Sequence, residues 1–393
     1  EDLAALRRQR QEIGETIRAS APRLAALQNP VPLDAAGARA ALDPGTLVLS
    51  YAVSGEQTHL FIAGRDAGLQ RETIRVSEAD LRTQVRRFRE AIEISRDGPS
   101  AYEMTRQGRE LYRMLVAPAE SRIASASRLL IVPDGPLHFL PFAALVRTGA
   151  GAGYLIEWKP IHLAASLTTY AEIRRAPARR RETAAPAVLA FGDPHYPASS
   201  SGELVGGDPV LRGIMSQWGS LRPLPGTREE VRAIAALFEG RSTAFLGEEA
   251  TERRAREAGI APAIIHFAAH GLLNERSPLD SAIALSIPER FEAGLDNGLL
   301  QVWEIFESVR IDADLVTLSA CETALGQELA GEGVIGLTRA FHYAGARTVL
   351  ASLWSVADRS TAELMKRFYG YLKAGKPKAE ALRLAQMEMI RGE

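Results

Sequence analysis

One cysteine, Cys321, occurs in 393 residues. A chain with a single thiol holds no intramolecular disulfide framework and no thiolate-rich zinc site. Such cysteine usage suits a reducing compartment, so the expected location is the cytoplasm. Long apolar runs are missing too. No stretch approaches the roughly 20 residues of a membrane span, and no signal-peptide pattern opens the sequence. Charge of one sign is not in excess: the formal net charge is -1, which gives no electrostatic reason to expect nucleic acid or an anionic membrane as partner. Neither a Walker A sequence nor a G-x-S-x-G elbow is present, which removes P-loop NTPases and α/β-hydrolases.

What is there is an ordinary globular composition, 46% apolar and 24% charged, in a chain long enough for two or three domains. The chain opens at Glu1 rather than methionine and reads as a piece of something longer. Leu3, Leu6, Ile13 and Ile17 repeat at helical spacing, so residues 1–30 are expected to form an N-terminal helix. Two strand-like runs follow, Leu47 to Val53 and Thr58 to Ala63, with "SGEQ" as the turn between them. Amphipathic helices then lead to "RLLIVPDGPLHFLPFAAL", an apolar strand closed by a Pro-Asp-Gly turn. Residues 31–173 thus read as a first α/β domain. The basic, proline-bearing "RRAPARRRETAAP" (174–186) lacks aromatic interleaving and reads as a solvated linker.

From Ala187 to the end, strands and helices alternate: "VLAFG", "TAFLG", "AIIHFAAHG", "DLVTLSA" and "RTVLASLW" are the strands. Their continuous apolar character predicts a mostly parallel sheet covered on both faces. Among the helices, "TREEVRAIAALF" is expected to open with a capping box, Thr227 with Glu230. "LLQVWEIFESV" reads as helical throughout, and Pro377 as the first residue of the last helix.

Sites on such sheets lie at the carboxyl ends of the strands. Three strands end in chemically loaded residues: Asp193, His270 and Cys321. An imidazole beside a thiol can lower its pKa or take its proton during attack, and can then protonate a leaving amine. Gly271 lets the backbone approach a substrate, and its N–H with that of Cys321 could form an oxyanion hole. The plainer readings stand beside this one. A lone cysteine is more often a buried, inert residue, and a strand-terminal histidine is usually a satisfied polar group. His266 and His270 are not a metal pair on a strand, since positions four apart are separated by roughly 13 Å at about 3.3 Å per residue. "GEGVIG" (Gly331, Gly333, Gly336) does not follow its strand directly and is not a dinucleotide fingerprint. Neither metal nor cofactor is expected.

Together, "LLIVPDGPLHFLPFAAL", "LAFGDPHY", "LPGTREEV", "IIHFAAHG", "LVTLSACETALG", "GEGVIGLTRAFHYAGARTVLASLWSVADRSTAELM" and "GKPKAEALRLAQ" resemble the CHAT domain family over residues 45 to 391. These caspase-like proteins belong with the caspase, separase and gingipain peptidases and are commonly joined to tetratricopeptide repeats. The resemblance implies a caspase-like three-layer αβα catalytic domain at 187–393, with the preceding, smaller α/β domain non-catalytic and a candidate degenerate caspase-like unit. It implies His270 and Cys321 as a catalytic dyad, and the N-terminal helix as the remnant of a repeat array through which a regulatory protein partner acts. Family members usually continue past the point corresponding to "MEMIRGE" with a further strand. The expected function is a cysteine endopeptidase acting on protein or peptide substrates. Asp193, Glu322, Trp354 and Asp358 are the candidate pocket residues, and an acidic pocket would favour Arg or Lys before the cut. For Asp193 and Asp358 alike the alternative is a helix or turn cap, Asp358 standing where a carboxylate favourably meets a helix N-terminus. The rival function is a catalytically silent caspase-like scaffold that binds partners, and a third is an enzyme latent until a partner engages.

Overall fold

The computed structural model describes residues 32–66, 68–94, 101–149, 152–175, 188–197, 221–274, 277–288, 296–319, 332–353 and 358–392. The expected N-terminal helix, most of the basic linker, Cys321, Glu322 and Trp354 lie outside them, as does the side chain of Asp358. The chain divides into two compact units, Glu1–Pro177 with Pro377–Glu393, and Ala178–Lys376.

In the first unit a short helix, α1 (Ala35–Ala40), precedes β1 (Thr46–Val53), β2 (Thr58–Gly64) and β3 (Gln70–Ile74). β1 and β2 form the expected hairpin, closed by a bond from Ser54 N–H to the Gln57 carbonyl. Helices α2 (Glu78–Ile94), α3 (Ala101–Leu115) and α4 (Glu120–Ser125) lead to β4 (Arg128–Val132). Past β4, the Pro-Asp-Gly turn is tied back to the hairpin where Asp134 accepts from Val53 N–H at 2.7 Å. The small pair β5 (Val146–Arg147) and β6 (Gly153–Tyr154) precedes α5 (Leu155–Trp158), β7 (Ile161–Leu163) and α6 (Leu167–Arg175). The main sheet has the order β3-β2-β1-β4-β7, antiparallel at the hairpin and parallel from β1 onward. Leu49, Leu60, Ile62, Phe88, Tyr112 and Leu129 lie in its core.

The second unit carries a five-stranded parallel sheet built from β8 (Val188–Pro194), β9 (Ser242–Gly247), β10 (Ile264–Ala268), β14 (Leu315–Leu318) and β15 (Val349–Ala351). Their order is β15-β14-β10-β8-β9. The chain therefore reverses direction of growth between β8 and β10, the topological switch point at which open α/β sheets bind their ligands. Helix α7 (Pro225–Leu237) follows β8, and α8 (Glu252–Arg256) follows β9. A second, antiparallel sheet of β11 (His270–Leu272), β12 (Ala282–Ala284) and β13 (Leu299–Gln301) is set into the chain between β10 and α9 (Val302–Ser308). Helices α10 (Glu332–Ala344) and α11 (Asp358–Lys373) complete the unit. The last helix, α12 (Lys378–Arg391), packs on α5 and β7 of the first unit, and Arg383 donates to the Glu157 carbonyl at 3.2 Å.

Period-two alternation sorts the parallel strands into two faces. Ile265 and Phe267 of β10, with Val316 and Leu318 of β14, share an apolar cluster with Ile305 of α9 and Leu337 and Phe341 of α10. His266, Thr317 and Ser319 point the other way, toward Glu230 of α7 and Tyr369 of α11. Helices thus cover both faces, as the continuous apolar runs require.

Four local expectations are corrected. The run "AIIHFAAHG" is two strands, not one: it breaks at Ala269, because His270 to Leu272 pair antiparallel with β12 rather than staying in the parallel sheet. "LLQVWEIFESV" begins as β13, whose Leu299 to Gln301 pair with β12 before the helix starts at Val302. Thr227 does not cap α7: the helix starts at Pro225, Thr227 donates to the Leu224 carbonyl, and Glu230 is drawn into the interior by Ser319 and His266. Pro377 caps α12 from outside its first turn.

Gly345, between α10 and β15, has φ +129, and an added Cβ would sit 1.8 Å from the Ile311 carbonyl oxygen. Backbone cannot yield as a flexible side chain does. Gly345→Ala is expected to cost roughly 3 kcal/mol or more, read as a lowered denaturant midpoint for the second unit.

Candidate active site at the sheet switch point

His270 is 3% exposed and opens β11, two residues after the last residue of β10. Its Nε2 lies 2.7 Å from the carbonyl oxygen of Arg222. A carbonyl can only accept, so Nε2 carries the proton and, in the neutral ring, Nδ1 keeps the lone pair. The hydrogen bond thereby fixes the tautomer of the neutral ring. The Tyr196 ring packs against it at 5.3 Å between centroids, tilted by 40°. The Tyr196 hydroxyl donates to the carbonyl of Ala284 at 2.8 Å, and Ala284 is the residue opposite His270 in the antiparallel pair. Tyr196 and Leu221 belong to an apolar cluster with Leu272, Ala282, Ala284, Ile287 and Leu299. Gly271 sits opposite Ile283. The histidine is therefore held on one side by a backbone acceptor and on the other by an aromatic lid fixed to the neighbouring strand.

Asp193 lies at the carboxyl end of β8 with φ +46, the one non-glycine residue in the left-handed region among the described residues. Aspartate tolerates that region better than most residues. Its N–H donates to Thr227 Oγ1 at 2.7 Å, and its carboxylate accepts from Arg228 Nε at 2.6 Å. Just before it, Gly192 permits α7 to approach: a Cβ there would meet Thr227 O at 2.9 Å and Val231 Cγ2 at 2.6 Å. Asp193 thus stands at the same edge as His270, with its charge engaged by an arginine from the first turns of α7. The structure brings His270, Gly271 and Asp193 to one edge. Asp358 is the first residue of α11. Cys321, Glu322 and Trp354 lie outside the described residues.

Sequence reasoning missed Tyr196 and Arg222. Tyr196 had a visible signal, an aromatic two residues past a strand end in "GDPHY". Arg222 acts through its carbonyl, which no side-chain identity announces.

The strands around the site are clipped by the insertion. Ser286 Oγ donates to the Gly247 carbonyl at 2.6 Å and accepts from His195 N–H at 3.0 Å. Further along, Glu252 is fully buried and accepts from the N–H groups of Asn297 and Gly298, at 2.9 and 3.0 Å, just before β13. Arg256 reaches both Glu252, at 2.8 Å, and Glu304, at 3.2 Å. One guanidinium serves two buried carboxyls, with Asp296 beside them. Burial, followed by the charge of Glu304, pushes the Glu252 carboxyl up to about 8, and burial also raises Glu304.

The family follows from most of the chain's length. A family model described as the CHAT domain matches residues 105–393, and the chain belongs to that family. Among curated proteins, it is similar to tetratricopeptide repeat protein 28 of Mus musculus, 27% identical over 355 residues and 76% of this chain. The Homo sapiens protein of the same name is 26% identical over 318 residues, 71% of this chain. The chain spans only 13% and 12% of the lengths of these relatives. Among the described residues no helix is long and apolar enough to cross a membrane.

A raised carboxyl binds its proton in the folded state where the unfolded chain has released it. The folded state therefore holds more protons between the ordinary carboxylate range and about pH 8. Stability is expected to fall as pH rises through that window, measured as the thermal midpoint, and Glu252→Gln should flatten the dependence.

Proposed function

We propose that this chain is a caspase-like cysteine endopeptidase in which Cys321 is the nucleophile and His270 the base. The observation that carries the reading is register. Phe267 and Leu318 are partners in adjacent parallel strands. His270 is three residues beyond the first (267 to 270), and Cys321 three beyond the second (318 to 321). Neighbouring strands are about 4.8 Å apart, so two chains leaving the sheet at the same level suit a dyad. Membership of the CHAT domain family supports the same caspase-like reading.

The chemistry follows from the tautomer. Nδ1 of His270 accepts the thiol proton while Arg222 O and Tyr196 hold the ring. The sulfur attacks the peptide carbonyl carbon, and the carbonyl electron pair moves to oxygen, where the N–H groups of Gly271 and Cys321 receive it. The tetrahedral adduct collapses, the C–N bond breaks, and the imidazolium gives its proton to the leaving amine. Water, deprotonated by His270, then hydrolyses the thioester and restores the thiol. No metal or cofactor enters.

Asp193, Glu322, Trp354 and Asp358 are the pocket residues of this proposal, with Arg or Lys favoured before the cut. A basic substrate side chain reaches Asp193 only by sharing or displacing Arg228. The cytoplasm is the proposed setting, residues 187–393 the catalytic domain, and a regulatory protein partner acting through helical repeats the proposed control. The named relatives are repeat proteins, which also favours the second reading, a scaffold that binds partners and cleaves nothing.

Peptide-library cleavage with the full-length protein separates the two. Cys321→Ala and His270→Ala are each expected to reduce turnover by at least about a thousandfold, with unchanged circular dichroism. Unaltered turnover in either would remove the dyad, and absence of turnover under every activating condition would favour the scaffold. Asp193→Asn is expected to lower kcat/KM for Arg and Lys substrates by about tenfold, leaving other substrates unaffected.

A further inference from the structure

On the face of the parallel sheet opposite the apolar cluster lies a set of polar side chains that the proposed chemistry does not use. Glu230 is 1% exposed, His266 0%, Thr317 1% and Ser319 3%. Ser319 Oγ donates to Glu230 Oε1 at 2.5 Å. His266 Nε2 lies 2.9 Å from the same oxygen, off the line of a well-aligned hydrogen bond. His266 Nδ1 is 3.1 Å from the Tyr369 hydroxyl, which is 2.8 Å from Thr317 Oγ1. A lone pair on Nε2 would face a carboxylate oxygen and be repelled, so we assign the proton to Nε2. Nδ1 then accepts from the Tyr369 hydroxyl, and the Tyr369 oxygen accepts from Thr317. Thr317 thus leads through Tyr369 to His266, whose Nε2 stands beside the Glu230 oxygen to which Ser319 donates. Burial raises the Tyr369 phenol above its usual range, and the Glu230 charge adds to this, which keeps the hydroxyl protonated and able to donate.

A buried carboxylate is a costly way to stabilise a core, and apolar residues of similar volume commonly do as well or better. The placement of Glu230 suggests why it is there. His266 lies four residues before His270 on β10, and Ser319 two residues before Cys321, just past β14. Ser319 is still in the ladder, its N–H donating to the Phe267 carbonyl at 2.8 Å. A single group on α7 therefore stands against the middle of β10 and the end of β14, the two strands from which the proposed dyad departs. The same helix holds Asp193 through Thr227 and Arg228. We infer that Glu230 is a positioning residue: through Ser319 and His266 it holds the end of β14 and the body of β10 against α7, and so sets the approach of Cys321 to His270.

The inference rests on the proposed dyad, and its test must fail separately from it. Cys321 is the only cysteine, so alkylation by iodoacetamide reports that thiol alone. Rates are measured across pH for the wild type, His270→Ala, Glu230→Gln and Ser319→Ala, with thermal unfolding recorded for each. In the wild type, alkylation near neutral pH is expected to depend on His270. Glu230→Gln and Ser319→Ala should each lose about tenfold in that neutral rate while converging with the wild type in strongly alkaline solution, where any thiol is ionised. A purely structural role would lower the unfolding temperature and leave the pH profile in place. Profiles of folded Glu230→Gln and Ser319→Ala that coincide with a His270-dependent wild type would overturn the positioning role and leave the dyad standing. A wild-type profile indifferent to His270→Ala would overturn the dyad, and the positioning role with it. Ser319→Ala removes one hydroxyl and carries the test should Glu230→Gln fail to fold; unfolding of both would assign the network to the fold and overturn the inference.

Discussion

The parallel sheet of the second unit is covered by helices on both faces, and most of what is distinctive here follows from that enclosure. Strands so buried ordinarily read as apolar throughout. Along β10 and β14 every side chain is shielded from water except for the half-buried Ile264, yet His266 and Thr317 interrupt the apolar run on one face only. A polar group in such a place must find partners from the helices above it. Glu230 and Tyr369 supply them, and with that α7 and α11 acquire a fixed relation to the strands. The opposite face needs no such partners and is filled by Phe267, Phe341, Ile305 and Leu318.

The site uses the other consequence of the sheet, its open edge. Where the strands end, the backbone leaves regular pairing, and each departure is held by a specific group. Asp193 leaves β8 in a left-handed turn pinned by Thr227 and Arg228. His270 leaves β10 into a different sheet, gaining β12 as neighbour, Tyr196 as cover and the Arg222 carbonyl as acceptor. The small antiparallel sheet is what turns an ordinary strand end into a buried, oriented imidazole. Its own attachment runs through Ser286 to β9 and through Glu252 to the chain before β13. Carboxyls carry much of this work, and they do so under different conditions. Glu230 accepts from Ser319 with His266 beside it, whereas Glu252 shares one arginine with Glu304 and is pushed toward its neutral form.

The first unit is built on a different plan, a hairpin extended by parallel strands. It takes the last helix of the chain as a packing element, with Arg383 bonded to the Glu157 carbonyl. Residues from the two ends of the sequence therefore share one compact unit, an arrangement that strand-and-helix alternation along the chain does not announce.

Periodicity and composition by themselves determined the parallel sheet, the β1–β2 hairpin, and the strand ends at which Asp193 and His270 stand. These are local properties: alternation, apolar run length and turn chemistry act over a few residues. The quoted motifs likewise carried the family. Tertiary structure decided the rest, because the deciding partners are distant in sequence. Glu230 looked like the end of a capping box and became the centre of a buried network only because Ser319, 89 residues away, donates to it. "AIIHFAAHG" looked like one strand and was split by a partner strand that lies beyond an insertion. Asp193 read as a candidate pocket acid, and α7 brings Arg228 to within 2.6 Å of it. His266, weighed as a metal ligand, proved to face Tyr369, 103 residues on. A residue's type sets which interactions it can make; only the packing of remote elements selects among them.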